Sequence, residues 1–276
     1  MLTDVLIPLR THASADTPAL ARALLRLAAT FATHATLCPL EVFVPPLKHR
    51  WSSAMLGLGD AGAQIEAASH EAALQLLAVA DAPAGLQLAT RTVRASFTDP
   101  ASPLAAAARY HDLTLIAFTE SEAGAAMAEA AMFGTGRPAL LVPAAIPEGP
   151  RPFDRIAIAW DGSAPANRAL QSAMPLLVDA EDVIILDAPG DKRIEPADRE
   201  ELLAYFVRHG IAPRFASADL SLADIGLALQ QCAKREGAGL LVMGAYGHHR
   251  VQQFILGGAT RGVLASLQLP VLMSHS

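Results

Sequence analysis

The strongest constraint on this chain is that its hydrophobic pattern runs through one series twice. Short apolar runs at 4–9, 35–44, 86–94, 112–118 and 138–143 are followed by a second series at 155–160, 182–187, 212–217, 239–243 and 270–273. Between them lie Ala/Leu-rich segments at helical spacing, among them 17–33, 61–79, 166–177, 197–209 and 222–236. Short apolar runs alternating with amphipathic helices make βαβ units and a mainly parallel sheet. Continuous runs such as Val183 to Leu186 fit strands covered on both faces. The last run of each series opens alike, with Pro138 before Ala139-Leu140-Leu141-Val142 and Pro270 before Val271-Leu272-Met273. The pattern reads as an internal duplication. Pro143, Pro147, Gly149, Pro150 and Pro152 can continue neither a helix nor a central strand, so the boundary falls there. The expected units are 1–147 and 148–276. A single large doubly wound domain fits less well, because the second half restarts with a fresh strand and helix.

Composition narrows the function classes. The 276 residues are 52% hydrophobic, 17% charged and 5% aromatic, which predicts an ordered, aliphatic core. No uninterrupted apolar stretch reaches the roughly 18 residues that a membrane helix needs, and no span is expected. The first ten residues carry no basic region ahead of their apolar run and no small-residue cleavage pattern, so they do not read as a signal peptide. Cys38 and Cys232 lie far apart and read as small buried hydrophobes rather than a disulfide. Together these features point to the cytoplasm. A net charge of −6 gives no basic footprint for nucleic acid.

One segment carries more than packing. The apolar run Leu240 to Met243 enters Gly244, with Gly247 after two further residues and Gly257-Gly258 after nine more. A helix is expected from Ala259 to Leu267. Glycines at a strand-to-helix junction allow close approach to a ligand, and free N–H groups at a helix start suit a phosphate. The segment is neither a P-loop, having no Gly-Lys-Ser/Thr, nor the dinucleotide pattern G-x-G-x-x-G.

This spacing resembles the G-x-x-G-x9-G-[S/T] signature of the universal stress protein family, whose nucleotide-binding members hold ATP on that loop. Arg155 to Ser163 (RIAIAWDGS) also resembles the first strand and Asp-Gly-Ser turn of that family. In the first half the likeness rests on element order and on Phe133-Gly134-Thr135-Gly136-Arg137-Pro138 before the last strand. The resemblance implies tandem α/β units, each a five-stranded parallel, Rossmann-like sheet of order 3-2-1-4-5, with ligands at the switch point between strands one and four. It implies that Ala159 and Asp161, with the backbone of Ala188, line the base side of an adenine nucleotide. Met243 and Gly244 would lie against the ribose, while Gly247, His248, Gly257, Gly258 and Ala259 would present N–H groups to phosphates. Arg250 could meet a phosphate with its permanent charge. ATP, bound weakly and with Mg2+ accompanying it, is the expected cofactor. Family members pair through the last strand, which implies an intramolecular pseudo-dimer of the two halves, with a homodimer as a further step.

The residues also have plainer readings. Asp161-Gly162-Ser163 before Ala164-Pro165 is good turn and helix-capping chemistry. Gly258 stands where the family has Ser or Thr. His248, His249 and Arg250 form a cationic cluster, but adjacent histidines point apart and no third ligand stands near, so no metal site is expected. The first half has no Asp-Gly-Ser turn after Leu9-Arg10 and no glycine pair after its fourth strand. Its Glu120 and Glu122 would repel a triphosphate, so no nucleotide is expected there. Ser163 has no histidine tied to it and no G-x-S-x-G elbow occurs, so no catalytic constellation stands out. The leading reading is a regulatory or protective stress-response protein with at most slow ATP hydrolysis. The alternative is a structural or interaction protein of the same fold without nucleotide. An enzyme such as a nucleotidyl transferase is disfavoured by the missing phosphate lysine and catalytic pair.

Overall fold

A computed structural model of the chain describes residues 1–12, 16–45, 58–78, 81–96, 99–187, 194–217, 224–245 and 258–275. The first half runs β1 (Leu2–Arg10), α1 (Pro18–Ala29), β2 (Ala32–Phe43), α2 (Leu58–Ala78), β3 (Gln87–Thr90), β4 (Val93–Ser96), α3 (Ala101–Ala108), β5 (Leu113–Ala117), α4 (Glu122–Phe133) and β6 (Ala139–Val142). The second runs β7 (Arg155–Ala159), α5 (Ala164–Leu177), β8 (Asp182–Asp187), α6 (Pro196–Arg208), β9 (Arg214–Ser217), α7 (Ile225–Arg235), β10 (Leu240–Gly244), α8 (Gly258–Ala265) and β11 (Val271–Ser274).

The strands form one sheet in the order β3-β2-β1-β5-β6-β11-β10-β7-β8-β9, with β4 also on β2. Counted from its own first strand, each half reads 3-2-1-4-5, and no strand of one half enters the other. Neighbours are parallel except at the seam, where β6 and β11 run antiparallel with Leu141 opposite Val271 and Leu140 opposite Leu272. The two halves therefore do not form separate sheets. Each ends in a strand of apolar side chains with an unpaired edge, and pairing the two edges removes both liabilities at once. Leu140, Leu141, Val142, Val271, Leu272 and Met273 are fully buried as a result.

Helices cover both faces. Residues alternate between them: Val183 and Ile185 of β8 join the core under α1, α2, α5 and α6, whereas Ile184 and Leu186 face α4, α7 and α8. Leu104, Ala107 and Ala108 of α3 cover Leu6 and Cys38 on that second face of the first half. The first core is continuous across the seam, where the rings of Phe31 and Phe153 lie 5.8 Å apart.

Local departures from the sequence reading have local causes. The first helix stops at Ala29 instead of reaching 33, because the Thr30 hydroxyl and N–H turn back onto Leu27 O and Ala32 already pairs as β2. The expected strand 86–94 divides into β3 and β4, which pair with His34–Leu37 and Leu40–Phe43 of β2 respectively. The helices α3 and α4, not singled out in the sequence, are so rich in alanine that their apolar faces carry little contrast. Pro8 lies within β1, and β5 pairs with β1 only at Val5 and Leu6. A proline has no N–H for the ladder, and the β1–β5 ladder ends just before it.

Both cysteines are buried and free. Burial pushes the Cys38 thiol from 9.0 up to about 12, against the opposing charge of Arg91. The folded chain thus holds this proton more tightly than the unfolded chain. The associated stability is complete below about pH 9 and is lost as pH rises towards 12. Urea denaturation across that window should show a steeper loss for the wild type than for Cys38→Ala; parallel slopes would refute the assignment. At the seam, Leu141→Ala should lower the unfolding free energy by about 2–5 kcal/mol, and a cost below about 1 kcal/mol would mean that the seam contributes little.

Candidate functional site

The second half brings the ends of β7 and β10 together, with Ala159 opposite Met243. Beyond β7 the chain turns through Asp161 and Gly162, whose φ of 71° is one that glycine adopts without steric cost. Asp161 Oδ1 accepts a hydrogen bond from the Ser163 N–H at 3.0 Å. Ser163 is the N-cap of α5, and its hydroxyl accepts from the Ala166 N–H at 3.2 Å. The turn and capping roles of these residues are therefore in use. Asp161 is nevertheless exposed, and its Oδ2 has no partner among the described residues.

Gly244 is explained by packing. A β-carbon there would lie 2.6 Å from Ala166 N and 2.7 Å from the Pro165 carbonyl carbon. The first turn of α5 lies directly over the end of β10, and only a glycine permits that approach. Met243 is buried within the core facing α7 and α8. Gly258 is different: it opens α8, and a β-carbon there meets nothing within 4 Å. Ala259 is half-buried against the same core as Met243. Ala188, Gly247, His248, Arg250 and Gly257 lie outside the described residues, as does His249. Among the described residues no group of three His, Cys, Asp or Glu side chains could hold a metal.

The position of α8 depends on residues that the motif does not contain. A β-carbon on Gly226 would lie 2.3 Å from Ala259 O, and one on Gly262 would lie 1.8 Å from Asp224 Oδ1. Asp224 caps α7 by accepting from the Leu227 N–H at 2.9 Å. Gln230, fully buried on α7, donates to Ser266 O at 2.8 Å and accepts from the Gln268 N–H at 2.7 Å. Two facing glycines and a buried amide thus hold α8 against α7. In sequence, Gly226 and Gly262 look like isolated helix defects, and only their facing positions give them meaning.

Beside the β7 tip, a groove of about 360 Å3 runs between α5 and α6, lined by Trp160, Gly162, Asp198, Glu201 and Arg208 among others. Its two exposed carboxylates make it a poor continuation for phosphates.

The first half has the same framework with different contents. Where the second half has its Asp161 turn, Arg10 ends β1. Its guanidinium pairs with Asp16 Oδ1 at 2.5 Å and donates to the Thr119 hydroxyl at 2.8 Å, linking the end of β1 to the segment after β5. Asp16 Oδ2 also accepts from the Arg10 N–H at 2.7 Å. The Asp16 side chain is only 3% exposed, so the pair is an interior one. Gly124 packs where a β-carbon would be 2.1 Å from Thr119 O. Of the two acidic residues noted in the sequence, Glu122 lies in the first turn of α4, where negative charge is favoured. Glu120 has a role that sequence did not show: its Oε1 accepts from the Leu267 N–H at 3.2 Å, across the two halves.

This architecture matches solved structures along its whole length. A universal stress protein from Archaeoglobus fulgidus superposes with a TM-score of 0.66 over 99% of this chain and 98% of that one, at 16% identity. The chain has the universal stress protein fold. A structure described as a putative universal stress protein from Pseudomonas aeruginosa gives a TM-score of 0.54 at 16% identity, over 99% of this chain and 93% of that one. A functionally unknown protein from the same species gives 0.52, again at 16% identity, over 98% and 92%. No protein-family model matches the chain, and no curated protein matches it. Among the described residues no helix of this universal stress protein fold is long and apolar enough to cross a membrane.

The two glycines of the motif should respond oppositely to a methyl group. Gly244→Ala forces a backbone clash and should cost about 1–3 kcal/mol. Gly258→Ala, with open space around it, should be neutral or stabilising by up to about 1 kcal/mol. Thermal and urea unfolding of the two variants tests this; equal effects would contradict the packing assigned to Gly244.

Proposed function

We infer that the chain is a tandem universal stress protein, with units 1–147 and 148–276, acting in the cytoplasm as a regulatory or protective protein. Its second unit binds an adenine nucleotide weakly, and its first unit does not. The observation that carries this reading is the contrast between two equivalent sheet ends. In the first half the space between strands one and four is bridged internally by Arg10, Asp16 and Thr119. In the second half the corresponding turn leaves an Asp161 oxygen exposed, close to the end of β10. The open surroundings of Gly258, at the positive end of α8, suit a phosphate.

The residues fit the group as follows. Asp161 would accept from the adenine amino group or a ribose hydroxyl. Ala159 would line the base side, Met243, whose side chain lies in the core, would offer only its backbone to the ribose, and the N–H groups at the start of α8 would meet phosphate oxygens with Mg2+ accompanying them. When bound, ATP would supply charge and binding energy to a conformational change, and among the described residues no pair supports rapid chemistry on it. The missing hydroxyl at Gly258 removes a hydrogen bond to a charged group, a contribution of about 1.5–3 kcal/mol. That corresponds to roughly one to two orders of magnitude in affinity.

Titration of ATP against wild type, Gly258→Ser and Asp161→Ala should show the serine variant binding about tenfold or more tighter and the alanine variant weaker. Open space at Gly258 means that the serine needs no rearrangement of the described residues. If wild type shows no binding at millimolar ATP and serine restores none, the second reading holds: a structural or interaction protein of this fold. That reading draws on Gly244, which packing alone explains.

A further inference from the structure

A groove of about 320 Å3 lies at the seam between the two halves, away from both strand-one/strand-four crevices. Thr3 and Asp112 line it from the starts of β1 and β5, Gly136 and Arg137 from the segment before β6, and Arg168 and Ser172 from α5. Its volume is about ten times the share of one water molecule in the liquid, room for a small solute.

The charges in this groove do not cancel. Six of the described arginines, Arg10, Arg94, Arg151, Arg155, Arg199 and Arg214, pair with a described carboxylate, and the others do not. The guanidinium groups of Arg137 and Arg168 have no such partner among the described residues. The one carboxylate of the lining, Asp112, is already engaged, its Oδ2 accepting from the Thr3 and Asp4 N–H groups at 3.1 Å each. The Ser172 hydroxyl is also spent, donating to Arg168 O at 2.8 Å. The charged donors of the lining side chains that lack a carboxylate partner are therefore the two guanidiniums, one from each half, in a chain of net charge −6. A guanidinium presents five N–H donors in a planar fork that matches an oxyanion in bidentate fashion.

We propose that this groove binds a small phosphate-class anion, held between Arg137 of the first half and Arg168 of the second. The geometry makes the bound anion a clasp across the seam. The antiparallel β6–β11 pair sets the start of β6 beside the end of β11, so this groove opens at the same end of the sheet as the strand ends of the second half. Helix α5 forms a wall of both places. Its first turn packs on Gly244, and its next turns supply Arg168 and Ser172.

The test is calorimetric titration of the full chain with sodium pyrophosphate, orthophosphate and sulfate at fixed ionic strength, with thermal unfolding alongside. Wild type should bind pyrophosphate at or below millimolar concentration and unfold at a higher temperature in its presence. Arg137→Gln and Arg168→Gln, both at exposed positions, should each bind at least tenfold more weakly and lose most of the thermal shift. Orthophosphate binding as tightly as pyrophosphate would identify the free ion as the ligand, and tighter pyrophosphate binding would identify a phosphate-bearing molecule; either supports the proposal. Absence of wild-type binding, equal binding by wild type and both glutamine variants, or sulfate binding as tight as pyrophosphate would overturn it. Arg137 belongs to the first half, so loss of binding in Arg137→Gln separates this groove from the nucleotide crevice.

Discussion

The antiparallel contact between β6 and β11 is the interaction on which the rest of the molecule depends. Each half on its own would end in a strand of fully apolar side chains and an open row of backbone donors and acceptors. Joining those strands satisfies the backbone of both and buries Leu140, Leu141, Val271 and Leu272 at the centre of one continuous sheet. One core then spans both halves, with Phe31 and Phe153 in contact across the boundary and Glu120 of the first half holding the Leu267 N–H of the second. The first half thus supports the second directly.

The same framework is finished differently at the two strand-one ends. In the first half, the ladder between β1 and β5 ends before Pro8, and Arg10 with Asp16 and Thr119 ties the strand ends together beyond it. Burying this pair is tolerable because both partners stay hydrogen-bonded, and removing either one would strand a charge. In the second half, the ladder between β7 and β10 continues to Ala159 and Met243, and the turn after it is short and capped. One half spends its strand end on internal cohesion, while the other keeps a carboxylate oxygen exposed.

Helix α5 links the places where ligand chemistry is proposed. Its N-cap, Ser163, follows the Asp161 turn, its first turn rests on Gly244, and its middle faces the seam. On the opposite face, α8 is fixed against α7 through Gly226, Gly262 and Gln230.

The sequence by itself determined the fold class, the duplicated order of strands, the apolar character of both final strands and the buried cysteines. Those properties follow from hydrophobic periodicity and from proline and glycine positions, which are local. It also marked Gly244 and Gly258 as parts of one glycine motif and Asp161 as part of a separate turn. Only the tertiary structure decided what each of them does: Gly244 makes room for α5, Gly258 faces open space, and Asp161 divides its oxygens between a turn and solvent. The same holds for Arg10 with Thr119 and for Glu120 with Leu267. Their partners lie on other elements, often in the other half, and a contact of that kind is set by how helices and strands pack, which a linear pattern does not encode.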